Sequence, residues 1–451
     1  MSSNIENQEQ NLKRVLDTKD VLLMAVGLII GAGVMTLTGI AIGRTGTGVP
    51  IAYLIAAVAT TVMSIPVAQL GSAAPTAGAG YKYASRLISP MWGFFFVATY
   101  IPMFICFAVY ALAFAQYFCF LIPNADPYIV AMIILTIMFL INLLGTKQFS
   151  AVQNVMVAIL ALALIAFIIY GLPRVNYNTV FNAENLLPFG AAGMVNAVAL
   201  LSFAMAGASY MASMGSEMKN PGRDIPLGII VGTLGVGIIY ALIALVACGV
   251  LPWNSVAGKS LAEVAREILP PWLLYVFVIG GGLGATATTI NANFAYVAKP
   301  LISACQDGWL PRKLGKVSKK TGIPSYLLTL FYIVGMIPLV LRISISDIAD
   351  LCSSAGMIGA SVIPIGLIRM MKKRPDLYEK SRFKLPKKVI VPLCIFCVIL
   401  AIFQAIALLS NFSIKYQVIV LIYLLLALIF GKIWSSRVNN DDDLISADEQ
   451  I

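Results

Sequence analysis

Apolar residues along this 451-residue chain gather in long blocks, with polar residues confined to short stretches between them. A bilayer core accepts about 20 consecutive apolar residues per helix. On that scale the pattern predicts twelve transmembrane helices, at 20–43, 48–73, 92–122, 128–145, 149–171, 191–214, 226–250, 271–299, 325–341, 347–369, 389–410 and 416–435. The third and eighth are longer than a straight crossing needs and are expected to tilt. A polar segment, residues 1–19, precedes the first block, and an acidic tail, 436–451, follows the last. No short apolar core with a small-residue cleavage site stands ahead of the body, so no cleaved signal peptide is expected.

Composition strengthens this picture. Hydrophobic residues make up 60% of the chain and charged residues 11%, against about a quarter charged in soluble domains. So much apolar surface implies that lipid is the solvent, and the fold class expected is an all-α polytopic membrane protein. Basic residues accumulate on cytoplasmic loops. With the N-terminus inside, 25 of the 31 Lys and Arg fall on inward segments and 6 on outward ones. Both termini are therefore expected in the cytoplasm, with the body in a cell (inner) membrane. The net charge of +11 then reflects topology and implies no nucleic-acid partner, while the loop Arg369–Lys388 is placed to meet anionic head groups. There is no histidine. The seven cysteines (Cys106, Cys119, Cys248, Cys305, Cys352, Cys394 and Cys397) show neither a metal spacing nor a disulfide framework. No cofactor or metal is expected. An enzyme would need clustered catalytic groups facing a cavity, and a channel would need rings of like charge or a repeated pore motif. Neither pattern is legible.

Two of the blocks are interrupted. Gly27, Gly31 and Gly33 fall near mid-depth of the first, and Ser202–Ser209 brings Ala204, Ala206, Gly207 and Ala208 to a similar depth of the sixth. Glycine weakens a helix by about 1 kcal/mol relative to alanine. Unwound backbone survives in hydrocarbon only where it lines a cavity or meets a partner. Small residues in one membrane helix commonly serve close packing. Two breaks five crossings apart fit a different plan, in which two halves thread the membrane in opposite senses and their broken first helices meet. Half-helix N-termini would then offer N–H groups to a carboxylate, and exposed carbonyls would face an ammonium. A zwitterion needs no charged side chain at such a place.

The residues around these breaks resemble the amino acid–polyamine–organocation (APC) superfamily. Ile30-Gly31-Ala32-Gly33-Val34 is similar to its G-x-G-[IV]-F signature, with Met35 in place of Phe. Ser216–Pro226 resembles its E-E-x-K-N-P…R-x-I-P loop, Asp307–Leu314 its D-G-x-x-P stretch, and Pro75, Gly78, Gly80 and Tyr81 its P-x-x-G-G-x-Y turn. The resemblance implies a leucine-transporter-type fold. Residues 20–171 and 191–369 would form two inverted five-helix repeats, with two extra helices at 389–435. It also implies alternating access. The substrate carboxylate would sit on amides of Gly31, Ala32 and Gly33, and its ammonium on carbonyls near Ile29, Ile30, Phe203 and Ala204. Met103, Phe107, Ala206, Ser209, Asn293, Ser353 and Ser354 are candidates for the rest of the pocket. Plain packing is the alternative for Met103 and Phe107, and a neighbouring helix for Asn293.

The departures from the family narrow the expectation. The sixth block carries no carboxylate beside Ala206–Ser209, and a second buried cation without a partner is costly. Small or medium neutral amino acids are the substrates expected. A cationic amino acid or polyamine exchanger, and a membrane sensor that binds without transporting, are the alternatives. The partners expected are the amino acid, the bilayer, and a coupling ion (sodium or proton) or a counter-substrate. Leu160 and Gln69 stand where many relatives carry Lys and Glu. Thr286, Thr288 and Thr289 form a candidate ion site, with hydroxyls bonded back along their own helix as the alternative. Asp347 and Asp350 read equally as titrating groups or as a wet helix N-terminus. Glu217, Lys219, Arg223 and Asp224 are expected to form a cytoplasmic charge cluster, either a gate or loop capping.

Overall fold

The structure, a computed structural model, describes residues 17–438 apart from 77, 145–148, 210, 212–217 and 319–320. The described elements are helical. Ten stretches among the described residues are long and apolar enough to cross a membrane. One of them, Ala32–Ala73, contains two helices: α2 (Ala32–Thr45) and α3 (Val49–Ala73) join through Gly46–Gly48. Gly46 sits at φ +62°, and a β-carbon there would come within 2.3 Å of the Asn185 carbonyl. Only glycine fits this corner.

Ahead of it lies α1 (Thr18–Ile29). The Asp17 side chain accepts the amides of Asp20 and Lys19, and Asp20 returns a bond to the Asp17 amide. This reciprocal cap holds the Asp17 carboxyl below its ordinary range, the Asp20 amide contributing most. After α3 come α4 (Pro90–Met103) and α5 (Cys106–Leu121), α6 (Pro127–Leu144), α7 (Phe149–Gly171), α8 (Gly190–Met205) and α9 (Pro221–Gly249). The next rod runs from α10 (Pro271–Val276) through a π-helical stretch, Phe277–Gly284, into α11 (Ala285–Tyr296) and α12 (Lys299–Asp307). The π stretch coincides with Gly280–Gly282 and Gly284. There, added β-carbons would run into Ile159, Tyr117 and Met156, so the wide turn lets neighbouring helices approach closely. The shorter apolar helix α13 (Ser325–Val340) follows, then α14 (Ile345–Ala360), α15 (Val362–Lys373), α16 (Lys387–Leu409) and α17 (Ile414–Trp434).

Packing is dense where these helices meet. A β-carbon on Gly237 of α9 would lie 2.4 Å from Ala57 of α3, and one turn away the rings of Tyr53 and Tyr240 meet edge to face at 5.4 Å. Such glycine contacts suit lipid, where association rests on close van der Waals fit. Charges are displaced to the ends. At the face where α1 begins, Thr18 donates to Asp224 (2.9 Å) and Ser72 to the Gly222 carbonyl (2.9 Å). Arg86 there grips both oxygens of Asp307 at 2.8 and 2.9 Å, joined by the Tyr81 hydroxyl. At the opposite face Arg44 pairs with Asp350 at 2.8 Å, with Ser346 and Asn411 as further partners. Asp350 is 1% exposed, so a wet helix N-terminus does not describe it. Its charge is offset by Arg44. Asp347, in the capped first turn of α14, is the exposed one. Arg342, between α13 and α14, bonds Asp126 in the loop between α5 and α6 and keeps that carboxyl below its ordinary range.

Removing one member of a buried ion pair costs about 3–5 kcal/mol, whereas replacing both with apolar groups is often close to neutral. Asp350→Leu alone is therefore expected to lower thermal stability in detergent strongly, and the double variant R44M/D350L to recover most of the loss. A double variant as unstable as the single would show that the pair does not act as a unit.

Candidate functional site at the helix breaks

The first membrane segment is interrupted at Ile30–Gly31. Ile30 is extended (ψ 105°), Gly31 lies at φ −164°, and α2 starts at Ala32. Any residue adopts that φ. Glycine is required here by proximity instead, because a β-carbon on Gly31 would sit 2.3 Å from Thr289 Oγ1. The break releases polar main-chain groups that hydrocarbon cannot satisfy, and neighbouring helices take them up. The Ala32 amide donates to Thr289 Oγ1 at 3.0 Å, and that hydroxyl donates onward to the Ala285 carbonyl at 2.7 Å. From α9, the fully buried Tyr240 hydroxyl donates to the Ile29 carbonyl at 2.7 Å and lies beside the Gly31 amide. Gly33 packs on Ala204, where a β-carbon would be 3.3 Å from the alanine methyl.

Ala204 belongs to the second interruption. Helix α8 ends at Met205, and Ala206–Ser209 continue as a 3₁₀ turn whose first amide, on Ala206, bonds the Phe203 carbonyl. Next to this end lies a cavity of about 190 Å³. It is bounded by α3 (Thr60, Ser64), α4 (Phe96, Met103), α8 and its turn (Ser202, Phe203, Ala206, Ser209), the end of the eighth rod (Tyr296, Pro300) and α14 (Ala355, Gly356). Most of these positions fall in the halves of their helices nearer the face where α1 begins, with Thr60 and Met103 close to mid-depth. The Arg44–Asp350 pair stands toward the opposite face and does not line the cavity.

The sequence-derived candidates separate here. Met103, Phe203, Ala206 and Ser209 line the cavity. Ile29, Ile30, Gly31, Ala32 and Gly33 form the first break; neither they nor Ala204, on which Gly33 packs, line the cavity. Phe107 does neither: it is fully buried, stacked on Phe294 at 4.3 Å. Asn293 is held by its own helix and a neighbour on it, donating to the Thr289 carbonyl (2.7 Å) and accepting from Tyr296 (2.6 Å). Ser354 bonds back to Leu351, and Ser353 is buried outside the cavity wall. The hydroxyls of Thr286, Thr288 and Thr289 all donate to carbonyls three or four residues earlier. Glu217 lies outside the described residues. Lys219 and Arg223 are exposed, and no ion pair joins them to Asp224 among the described residues; Asp224 is buried and takes the Thr18 hydroxyl instead.

Sequence reasoning missed Tyr240, Thr60, Ser64 and Tyr296. A signal for Tyr240 existed. A phenol midway along an apolar helix must find an acceptor, and no other hydroxyl or amide side chain lies within six residues of it in α9.

The amino acid permease family model matches residues 16–429. Among relatives, the branched-chain amino acid permease BcaP of Bacillus subtilis (strain 168) is 26% identical over 421 residues, covering 87% of this chain and 88% of the relative. The methylthioribose transporter of the same organism is 24% identical, covering 86% and 87%. The D-serine/D-alanine/glycine transporter of Escherichia coli (strain K12) is 23% identical, covering 84% and 85%. A polytopic helical body, a broken helix at a glycine pair and a match over nearly the whole length lead to one conclusion: this chain is an integral membrane protein of the amino acid permease family, within the APC superfamily.

Proposed function

We propose that the chain is a secondary transporter of small or medium neutral amino acids, working by alternating access. Its twelve crossings form two inverted repeats of the leucine-transporter type, residues 20–171 and 191–369, with two further crossings at 389–435. Both termini lie in the cytoplasm of a cell that carries the protein in its inner membrane. The observation that carries this reading is the interruption at Ile30–Gly31, with Gly33 just beyond it packed on Ala204 near the end of the second interrupted helix, which borders a cavity.

The main chain does the recognising. The substrate carboxylate takes the positive end of α2, at the amides of Gly31, Ala32 and Gly33. Thr289 holds the Ala32 amide, so the carboxylate shares or displaces that hydroxyl. The ammonium faces the carbonyls at the end of α1 and near Phe203 and Ala204. The side chain enters the cavity. No carboxylate lines that cavity, which disfavours a side chain carrying its own cation. The buried Arg44–Asp350 pair closes the outer end while the cavity lies toward the inner one. Transport then requires the pair to part when the cavity faces outward. Thr289 brings its oxygen to the break, and with Thr286 and Thr288 on the same helix it is the place for a coupling ion.

Counterflow uptake of labelled alanine, leucine, lysine and methylthioribose into proteoliposomes, with and without sodium or proton gradients, tests the function. Uptake of the neutral amino acids is expected. Binding without uptake would make the chain a sensor, and preference for lysine would make it a cationic exchanger. Gly31→Val and Gly33→Val are expected to abolish uptake while the protein still purifies as a single species, and normal uptake by either rules out the carboxylate seat. Thr289→Ala and Tyr240→Phe each remove one hydrogen bond at the break, a loss of about 1 kcal/mol. Each should weaken apparent substrate affinity roughly fivefold rather than abolish transport. Unchanged affinity in both would show that these hydroxyls serve packing alone.

A further inference from the structure

The walls of the cavity carry a second message, about the substrate's side chain. No charged residue lines it. Eight hydroxyl-bearing residues do, and seven of their eight protons are already committed. Thr60 donates to the Ser202 carbonyl, Ser202 to Val198, Thr99 to Phe96, Tyr83 to Ala74, Tyr100 to Val297 and Tyr296 to Asn293. Ser64 and Ser209 bond each other at 3.0 Å, which leaves one proton between them. The remainder of the wall is aliphatic, aromatic or thioether, with one thiol at Cys397. A polar group entering this space would exchange its hydration for one free proton and the lone pairs of neutral hydroxyls, with no charged partner, a net cost of up to about 1–3 kcal/mol that is largest for a cation. An apolar group loses nothing. An apolar cavity of about 150 Å³ holds a benzene molecule, so the roughly 190 Å³ here accommodates a branched aliphatic side chain.

One wall position differs from the other glycines around the cavity. A β-carbon on Gly80 would meet the Phe96 ring at 2.6 Å, and one on Gly359 would meet Thr99 Oγ1 at 2.8 Å. Those glycines are needed for helix packing. On Gly356 of α14 the added carbon would stand 3.2 Å from Met103 Sδ and 3.7 Å from the Phe203 ring. Methionine has three rotatable bonds and yields readily. Met103 and Phe203 line the same cavity from α4 and α8, so extra atoms at residue 356 occupy space that the substrate would use.

We propose that the site takes amino acids with aliphatic side chains up to the size of leucine, and that Gly356, between Met103 and Phe203, sets that upper size. The proposal rests on reading the cavity as the substrate site. It is tested on the purified full-length protein by ligand-induced thermal stabilisation with alanine, leucine, serine and lysine, for the wild type, G356A and G356V. Leucine should stabilise the wild type at lower concentration than serine or lysine. In G356V its apparent affinity should fall by about tenfold or more, as expected for methylene-scale steric discrimination, while alanine keeps its wild-type affinity within about threefold. G356A should lie between. The retained alanine response shows that the variant is folded; if G356V loses both responses, the leucine-to-alanine ratio in G356A decides. An unchanged ratio in the folded variant, or a wild type that binds serine or lysine as well as leucine, overturns the proposal. Absent uptake with these binding shifts intact would defeat the transporter reading and leave the size assignment standing.

Discussion

A main-chain amide or carbonyl released from a helix inside hydrocarbon must find a partner, and the centre of this protein is arranged around that requirement. The break at Ile30–Gly31 frees groups that water cannot reach. Thr289 reaches them from α11 and Tyr240 from α9. Because each bond is about 3 Å long, the helices that supply the hydroxyls are fixed in depth and rotation relative to the break. Gly31 is the residue that lets Thr289 come so near. Under the proposed function, a ligand at this place meets groups already bonded to hydroxyls and so binds by exchange of hydrogen bonds.

Electrostatics and packing divide the remaining work by depth. Two buried ion pairs stand at opposite ends, Arg44–Asp350 and Arg86–Asp307. Each ties a residue of the first half of the chain to one of the second. Between them the cavity has no charged wall. Long-range attraction therefore holds the ends, while short-range contacts at glycines such as Gly237 and Gly282 hold the middle. Contacts of that second kind are individually weak and re-form easily when helices tilt. That property suits a protein proposed to present one cavity to two sides.

Two of the sequence motifs prove to be one structural feature. Tyr81, in the turn after α3, and Asp307, at the end of α12, lie 226 residues apart and share a hydrogen bond that Arg86 reinforces. Their spacing along the chain gives no hint of this. Asp350 makes a similar point. In the sequence it is one of two acids opening a helix, equally readable as solvated, and the fold buries it against Arg44 and Asn411.

What the sequence determined by itself was the kind of solvent, the helical class and where the first helix is weak. Those properties are sums over windows of about 20 neighbours, and transfer free energy adds along a chain. Only the tertiary structure decided that Phe107 stacks on Phe294, that Asn293 is held by Tyr296, and that Thr289 and Tyr240 hold the break. A hydrogen bond or ring contact acts over a few ångströms between residues far apart in number. Which of many polar side chains at one depth meets which is settled by helix rotation, and helix rotation is fixed only when all the helices pack together.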